Sequence, residues 1–193
     1  CIRDSAYAIT ARRCGFHREH LVAFFSSMRA DLTHREYSPS ELQDYIYGSA
    51  EAIGLLCLQI FLAEENVSPA DRAAMERGAR ALGSAFQKIN FLRDLREDSS
   101  TLGRTYFQQA PSGRIDEATK SALIAEIRRE LATAALTIDL LPASARVGVS
   151  AAADIFAELT NRLAATPATA LATTRVSVPN HTKAWLAAHA AVS

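Results

Sequence analysis

The stretch from Ser68 to about Asp98 constrains this chain most. "SPAD" opens it, with Ser68 placed to cap a helix and Pro69 at the first helical position, where a missing N–H costs nothing. After Pro69 there is no further proline, and Met75, Ala79, Leu82, Phe86, Ile89 and Leu92 recur at helical spacings on one side. A helix of that span is roughly 45 Å long at ~1.5 Å per residue.

The rest of the chain reads the same way. Glycine and proline are scarce, alanine is abundant and β-branched runs are short, so the fold class expected is all-α. From 17 to 32, Leu21, Phe24, Phe25, Met28 and Leu32 form an apolar stripe. "SPSE" is a second start signal, with Ser38 as cap, Pro39 behind it and Glu41 completing a capping box. The helix that follows is expected to reach about Glu65 and to be central, because it is apolar on more than one face. Residues 99 to 115 read as a loop. A fourth helix is expected from Asp116 to Leu141, stopping at Pro142, and a fifth over 146 to 164. Residues 166 to 181 read as irregular, and a short last helix holds Trp185.

At 193 residues and 49% hydrophobic, the chain suits one domain, residues 1–193, with a real core. Lys plus Arg equals Asp plus Glu at 21 each, so no global basic field points to nucleic acid. Any phosphate chemistry must come from local placement. Cys1, Cys14 and Cys57 are odd in number and lack metal-ligand spacing, which fits a reduced, intracellular setting. His17, His20, His34, His181 and His189 do not form a ligand set, and surface positions are expected for His17 and His20. No stretch has the length of a membrane span, since "AIGLLCLQIFLA" ends at Glu64 and Glu65, and no signal peptide is visible.

The charge is gathered in "NFLRDLREDSSTLGRTYF", residues 90 to 107. Gln87, Asn90, Asp94 and Asp98 lie three, four and four apart, on one face of the long helix. Asp94 and Asp98 can aim two carboxylates at one point, as a hard cation such as Mg²⁺ requires. Glu97 can assist. Arg93, Arg96 and Arg104 can neutralise phosphate oxygens. The same residues also suit a solvated helix end with pairs such as Arg93–Glu97. Gly48, Gly54, Gly78 and Gly83 sit in helical patterns, where they serve either close helix packing or room for a long apolar ligand. Tyr45 suits either a core or a site position.

Four segments together resemble the squalene/phytoene synthase family, the head-to-head prenyl synthases, and most of all its bacterial phytoene synthases. "QKINFLRDLREDSSTLGRTYF" is similar to the family's second Asp-rich signature, Q-x-x-N-x-L-R-D-x-x-E-D followed by G-R-x-Y. Gln87, Asn90, Leu92, Arg93, Asp94, Glu97, Asp98, Gly103, Arg104 and Tyr106 fit it. "YIYGSAEAIGLL" resembles the Y-x-Y-x-x-A-x-x-x-G signature through Tyr45, Tyr47, Ala50 and Gly54. "FFSSMRADLTHREYSPSEL" resembles the segment before it, and "RVSVPNHTK" the closing region. The family's first Asp-rich motif is absent, since "IRDSAY" supplies no D-x-x-x-D. The resemblance therefore implies the C-terminal part of a longer, N-terminally truncated domain.

What the resemblance implies is an isoprenoid synthase fold, a helical bundle around a central cavity, with its first helices missing. The implied reaction joins two prenyl diphosphates head to head, above all two geranylgeranyl diphosphates to phytoene through prephytoene diphosphate. The alternatives are a squalene, dehydrosqualene or hopanoid-precursor synthase using farnesyl diphosphate, and a non-catalytic prenyl-diphosphate-binding relative. Mg²⁺, with Mn²⁺ as substitute, is the implied cofactor, and NADPH enters only for a squalene-type reaction. Asp94, Asp98 and Asn90 would hold the metal. Tyr45, Gln87 and Arg93 would stand with Asp94 and Asp98 at the reacting carbons and diphosphate, and Arg104 with Asn90 would bind the diphosphate. Ala50, Ile53, Gly54, Ala79, Leu82 and Gly83 would line the tunnel for the prenyl tail. The 193 residues alone, with one of two carboxylate clusters, are expected to be inactive. A cytoplasmic protein, peripheral on the inner face of the membrane for product release, is the implied setting.

Overall fold

The computed structural model describes residues 2–33, 36–97 and 115–191. Among these residues every regular element is a helix and there is no strand. In chain order they are α1 (Ile2–Arg13), α2 (Arg18–Thr33), α3 (Pro39–Ile46), a π-helical turn (Tyr47–Glu51), α4 (Ala52–Phe61), α5 (Pro69–Glu97), α6 (Glu117–Ile138), α7 (Ala143–Ala165), α8 (Ala168–Leu171) and α9 (Asn180–Ala190).

The long helix is present and organises the rest. α5 packs against the π turn and α4 on one side and along α6 on the other, and α6 in turn packs on α7. Ile89 and Leu92 of α5, Ile127 of α6, Leu163 of α7 and Leu171 of α8 are almost wholly buried in one cluster. Both start signals act as read. Ser38 Oγ accepts from the Glu41 N–H at 3.3 Å while Glu41 Oε2 accepts from the Ser38 N–H at 2.8 Å, a complete capping box. Ser68 Oγ accepts from the Asp71 N–H at 3.1 Å. α6 begins one residue later than read, because Asp116 is its cap: Oδ1 accepts from the Thr119 N–H at 2.6 Å. That backbone hydrogen bond holds the Asp116 carboxyl below its usual range.

Four expectations are corrected. The helix read from Pro39 to about Glu65 is interrupted by the π turn, in which the Ala52 N–H reaches back to the Tyr47 carbonyl, and it ends at Phe61. The α2 stripe is covered only in part: Leu21, Phe24 and Met28 are half-buried. Phe25 and Leu32 are 56% and 74% exposed, and the buried residues of α2 are His20 and Ser27. The reason is close approach, since a Cβ on Gly48 would collide with Ser27 Oγ and the Ala23 carbonyl, so the face of α2 against the π turn must be small. Residues 166 to 181 hold α8 and the start of α9. His20 is buried rather than on the surface.

α6 and α7 are tied at both ends. The buried Lys120 ammonium donates to the carbonyls of Thr166 and Ala164 at 2.6 and 3.3 Å, satisfying the C-terminus of α7 from the first turn of α6. At the other end the Arg146 guanidinium donates to the Leu141 carbonyl at 3.0 and 3.2 Å.

Candidate active site

The helices flank an apolar cavity of about 610 Å³. Its near wall is the π turn, α4 and α5, and all six residues read as a tunnel lining, Ala50, Ile53, Gly54, Ala79, Leu82 and Gly83, stand in it. The far wall was not legible from the motifs. It comes from α6 and α7 through Ala134, Thr137, Ile138, Gly148, Val149 and Ala152. Phe86, also in the wall, stacks on Phe156 of α7 with centroids 3.8 Å apart. Leu58, Met75 and Leu141, buried together, line its lower end.

Gln87, Asn90 and Asp94 lie beyond Phe86 on the same stripe of α5, where spacings of seven and eleven from Gly83 bring the side chains back to one face. They continue the cavity wall towards the C-terminal end of α5 without lining the cavity itself. From Asp94 to Met75 is roughly 28 Å at ~1.5 Å per residue. The stripe therefore changes from apolar to polar along its length.

Asp94 is held by two cations. Arg93 donates from Nε to Oδ1 at 3.0 Å and from Nη2 to Oδ2 at 2.5 Å. Arg175, between α8 and α9, brings its Nε to 3.0 Å from Oδ1. Sequence reading missed Arg175 as a site residue. Its only signal was the closing "RVSVPNHTK", far downstream of Asp94. Arg93 pairs with its neighbour Asp94, and the Glu97 side chain of the solvated-end reading lies outside the described residues. Asn90 Oδ1 is buried and has no hydrogen-bond partner among the described residues. A buried amide oxygen without a donor, one turn from a carboxylate, offers the oxygen donors that Mg²⁺ requires, so the residues present fit that ion.

Tyr45 does not line the cavity. It is buried against Tyr37 and against Phe91 of α5, with ring centroids 5.1 and 6.2 Å away, and its hydroxyl donates to Asp31 Oδ1 at 2.9 Å. Asp31, on α2, is a second residue the motifs did not assign. Asp98, Arg104, Gly103 and Tyr106 lie outside the described residues, as do the side chains of Arg96 and Glu97.

On the opposite side of the α4–α5 pair lies a second, polar crevice of about 490 Å³, lined by His17, Glu19, His20, Tyr47, Gln59, Arg72, Glu76, Arg77 and Arg80. Burial lowers the pKa of His20 below the usual imidazole value.

The comparisons agree with the motifs. The squalene/phytoene synthase family profile matches residues 3–182. Over 110 residues, 55% of this chain, the sequence is 37% identical to "Phytoene synthase 3, chloroplastic" of Zea mays. Over 136 residues, 62% of the chain, it is 27% identical to the "Bifunctional lycopene cyclase/phytoene synthase" of Blakeslea trispora. The matches span 25% and 22% of those proteins, so the chain corresponds to about a quarter of the length of the curated relatives it matches. Among solved structures, the squalene synthase HpnC from Alicyclobacillus acidocaldarius shares the fold, with a TM-score of 0.59 at 19% identity over 83% of this chain and 62% of that one. With its helical cavity, the polar stripe of α5 and a family match over nearly its whole length, the chain belongs to the squalene/phytoene synthase family.

Proposed function

We propose that this chain is the part of a head-to-head prenyl synthase that holds a prenyl tail and one diphosphate, and that the whole protein condenses two geranylgeranyl diphosphates to phytoene through prephytoene diphosphate. The observation that carries the reading is the continuous face of α5. It runs from an apolar cavity wall at Ala79, Leu82 and Gly83 to Gln87, Asn90 and Asp94. An amphiphile with a long apolar tail and an anionic head matches that gradient.

Each group then has a task. The cavity wall removes the tail from water and keeps nucleophiles from an allylic cation. Arg93 and Arg175, already beside Asp94, supply charge to a departing diphosphate. Asn90 and Asp94, with Asp98, are the residues that would hold Mg²⁺, which when bound neutralises diphosphate oxygens. Gln87 flanks the point where the polar face meets the cavity. Tyr45, fixed by Asp31, braces α3 over Phe91, next to Asn90.

The test has two arms. Geranylgeranyl diphosphate should bind the 193-residue chain in the presence of Mg²⁺, and Asp94→Asn should weaken that binding about tenfold or more, as the loss of a charge-assisted contact predicts. Product formation is then followed from geranylgeranyl and farnesyl diphosphate, for the chain alone and for the chain extended by an upstream segment carrying D-x-x-x-D. Phytoene is expected from the extended protein and no turnover from the chain alone. Mg²⁺-independent binding that ignores Asp94→Asn would overturn the site. Farnesyl diphosphate as the sole substrate would overturn the chain-length assignment.

A further inference from the structure

The turn between α1 and α2 gathers a different set of ligands. Gly15, at φ +64°, ends α1 in the left-handed region and lets the chain pass directly into His17 and the first turn of α2. One ligand atom from each of His17, Glu19 and His20 lies within 4.8 Å of the other two. The two imidazole rings are nearly parallel, 19° apart with centroids 5.4 Å from each other, and His17 Nδ1 is 3.8 Å from Glu19 Oε1. We propose that His17, Glu19 and His20 bind a divalent transition-metal ion of the zinc class at the mouth of the polar crevice between α2, α4 and α5.

Three features support a built site rather than a chance cluster. The donor set is two imidazoles and one carboxylate, which suits zinc and its neighbours in the first transition row and leaves coordination positions open. His20 is buried, and its Nδ1 lies 3.1 Å from the Tyr47 hydroxyl, which fixes the ring and leaves Nε2 for an ion. Metal-bound histidines commonly have such an outer partner on the second nitrogen. Tyr47 is itself held in place. The Arg80 guanidinium covers its ring at 5.5 Å, and Arg80 Nε donates to Glu51 at 2.7 Å. The remaining ligands, His17 and Glu19, have side chains 61% and 73% exposed, free to close on an ion with little repacking. Arg72, Glu76, Arg77 and Arg80 line the same crevice. Cys14, three residues ahead of His17, is not among the gathered atoms. The site lies across α4 from the apolar cavity and does not depend on the prenyl-diphosphate reading.

The experiment uses the tag-free 193-residue chain, stripped with a chelator and titrated with zinc chloride against a chromophoric competitor. The expected result is one zinc bound per chain. His17→Ala should weaken it at least tenfold, and Tyr47→Phe by about tenfold, the usual scale for loss of an outer partner. Cys14→Ser and His189→Ala should leave it unchanged. Circular dichroism checks that each variant folds. Because His17 is exposed, His17→Ala decides the matter even if a His20 variant does not fold. Zinc binding that is absent in the parent, that survives His17→Ala at full strength, or that disappears in Cys14→Ser would overturn the proposal.

Discussion

Gly54 and Gly83 let α5 approach α4 and the π turn closely by lacking a side chain. A Cβ on Gly54 would stand 2.6 Å from the Ala79 carbonyl oxygen, and one on Gly83 the same distance from that of Ala50. Backbone cannot swing aside as a side-chain tip can. Gly83→Ala is therefore expected to destabilise the chain by about 1–3 kcal/mol, measured by denaturant unfolding. Gly148 on α7 differs, because a Cβ there meets nothing within 4 Å and the residue lines the cavity. Gly148→Leu should fold normally and put its bulk where a prenyl tail would lie. Geranylgeranyl diphosphate binding should then fall more than farnesyl diphosphate binding in side-by-side titrations. Equal losses would remove Gly148 from the path of the tail. Sequence spacing left two readings for the helical glycines, packing or room. At Gly54 and Gly83 the backbones touch, as the packing reading has it, and both residues also line the cavity. The glycine with open space, Gly148, belonged to no motif, and which helix face it turned inward was not encoded locally.

Between α5 and α6 runs a partly buried charged seam that the motifs did not point to. Lys88 donates to Glu126 at 2.7 Å and to Glu130 at 2.5 Å, and Ser84 donates to Glu130 at 2.9 Å. Burial outweighs these partners and holds the Glu130 carboxyl above its usual range. With the folded value raised, Glu130's contribution to stability is greatest at acid pH and is lost as pH climbs from the ordinary carboxylate range through the raised value. Glu130→Gln should flatten the profile of melting temperature against pH across that window. A parent profile that the substitution leaves unchanged would contradict the assignment. Lys88→Met should cost about 1–3 kcal/mol, because it leaves the partly buried Glu130 without its cation, and Lys88→Met with Glu130→Leu should recover most of the loss. The element boundaries show where sequence speaks plainly. Ser38–Pro39, Ser68–Pro69 and Asp116 mark helix starts by local chemistry that acts wherever the helix packs. The α2 stripe misled because which face is buried depends on the partner. Here the partner is the π turn, whose Gly48 meets the small residues Ala23 and Ser27.

At the scale of the molecule, no helix among the described residues is long and apolar enough to cross a membrane. Val22, Phe25 and Leu32 nevertheless stand exposed on one face of α2. Such a stripe predicts self-association that increases with concentration, and Phe25→Ser with Leu32→Ser should shift the chain towards monomer in sedimentation velocity. A concentration-independent monomer for the parent would refute this. The site divides in the same way. Gln87, Asn90 and Asp94 were legible because one helix carries them all at fixed spacing. Arg175 and the α6–α7 wall were not, because only packing brings them near. The π turn has a consequence for how such a chain can vary in length. One surplus residue in Tyr47–Glu51 sets the rotation of α3 relative to α4, since each helical residue turns the chain by about 100°. Exchanging residues inside the turn keeps that phase. Deleting one would restore a plain α-helix and swing Tyr45 and Ile46 by about a quarter turn or more away from Phe91. This segment should therefore accept changes of identity and refuse changes of number, so that insertions and deletions are excluded here while loops elsewhere remain open to them.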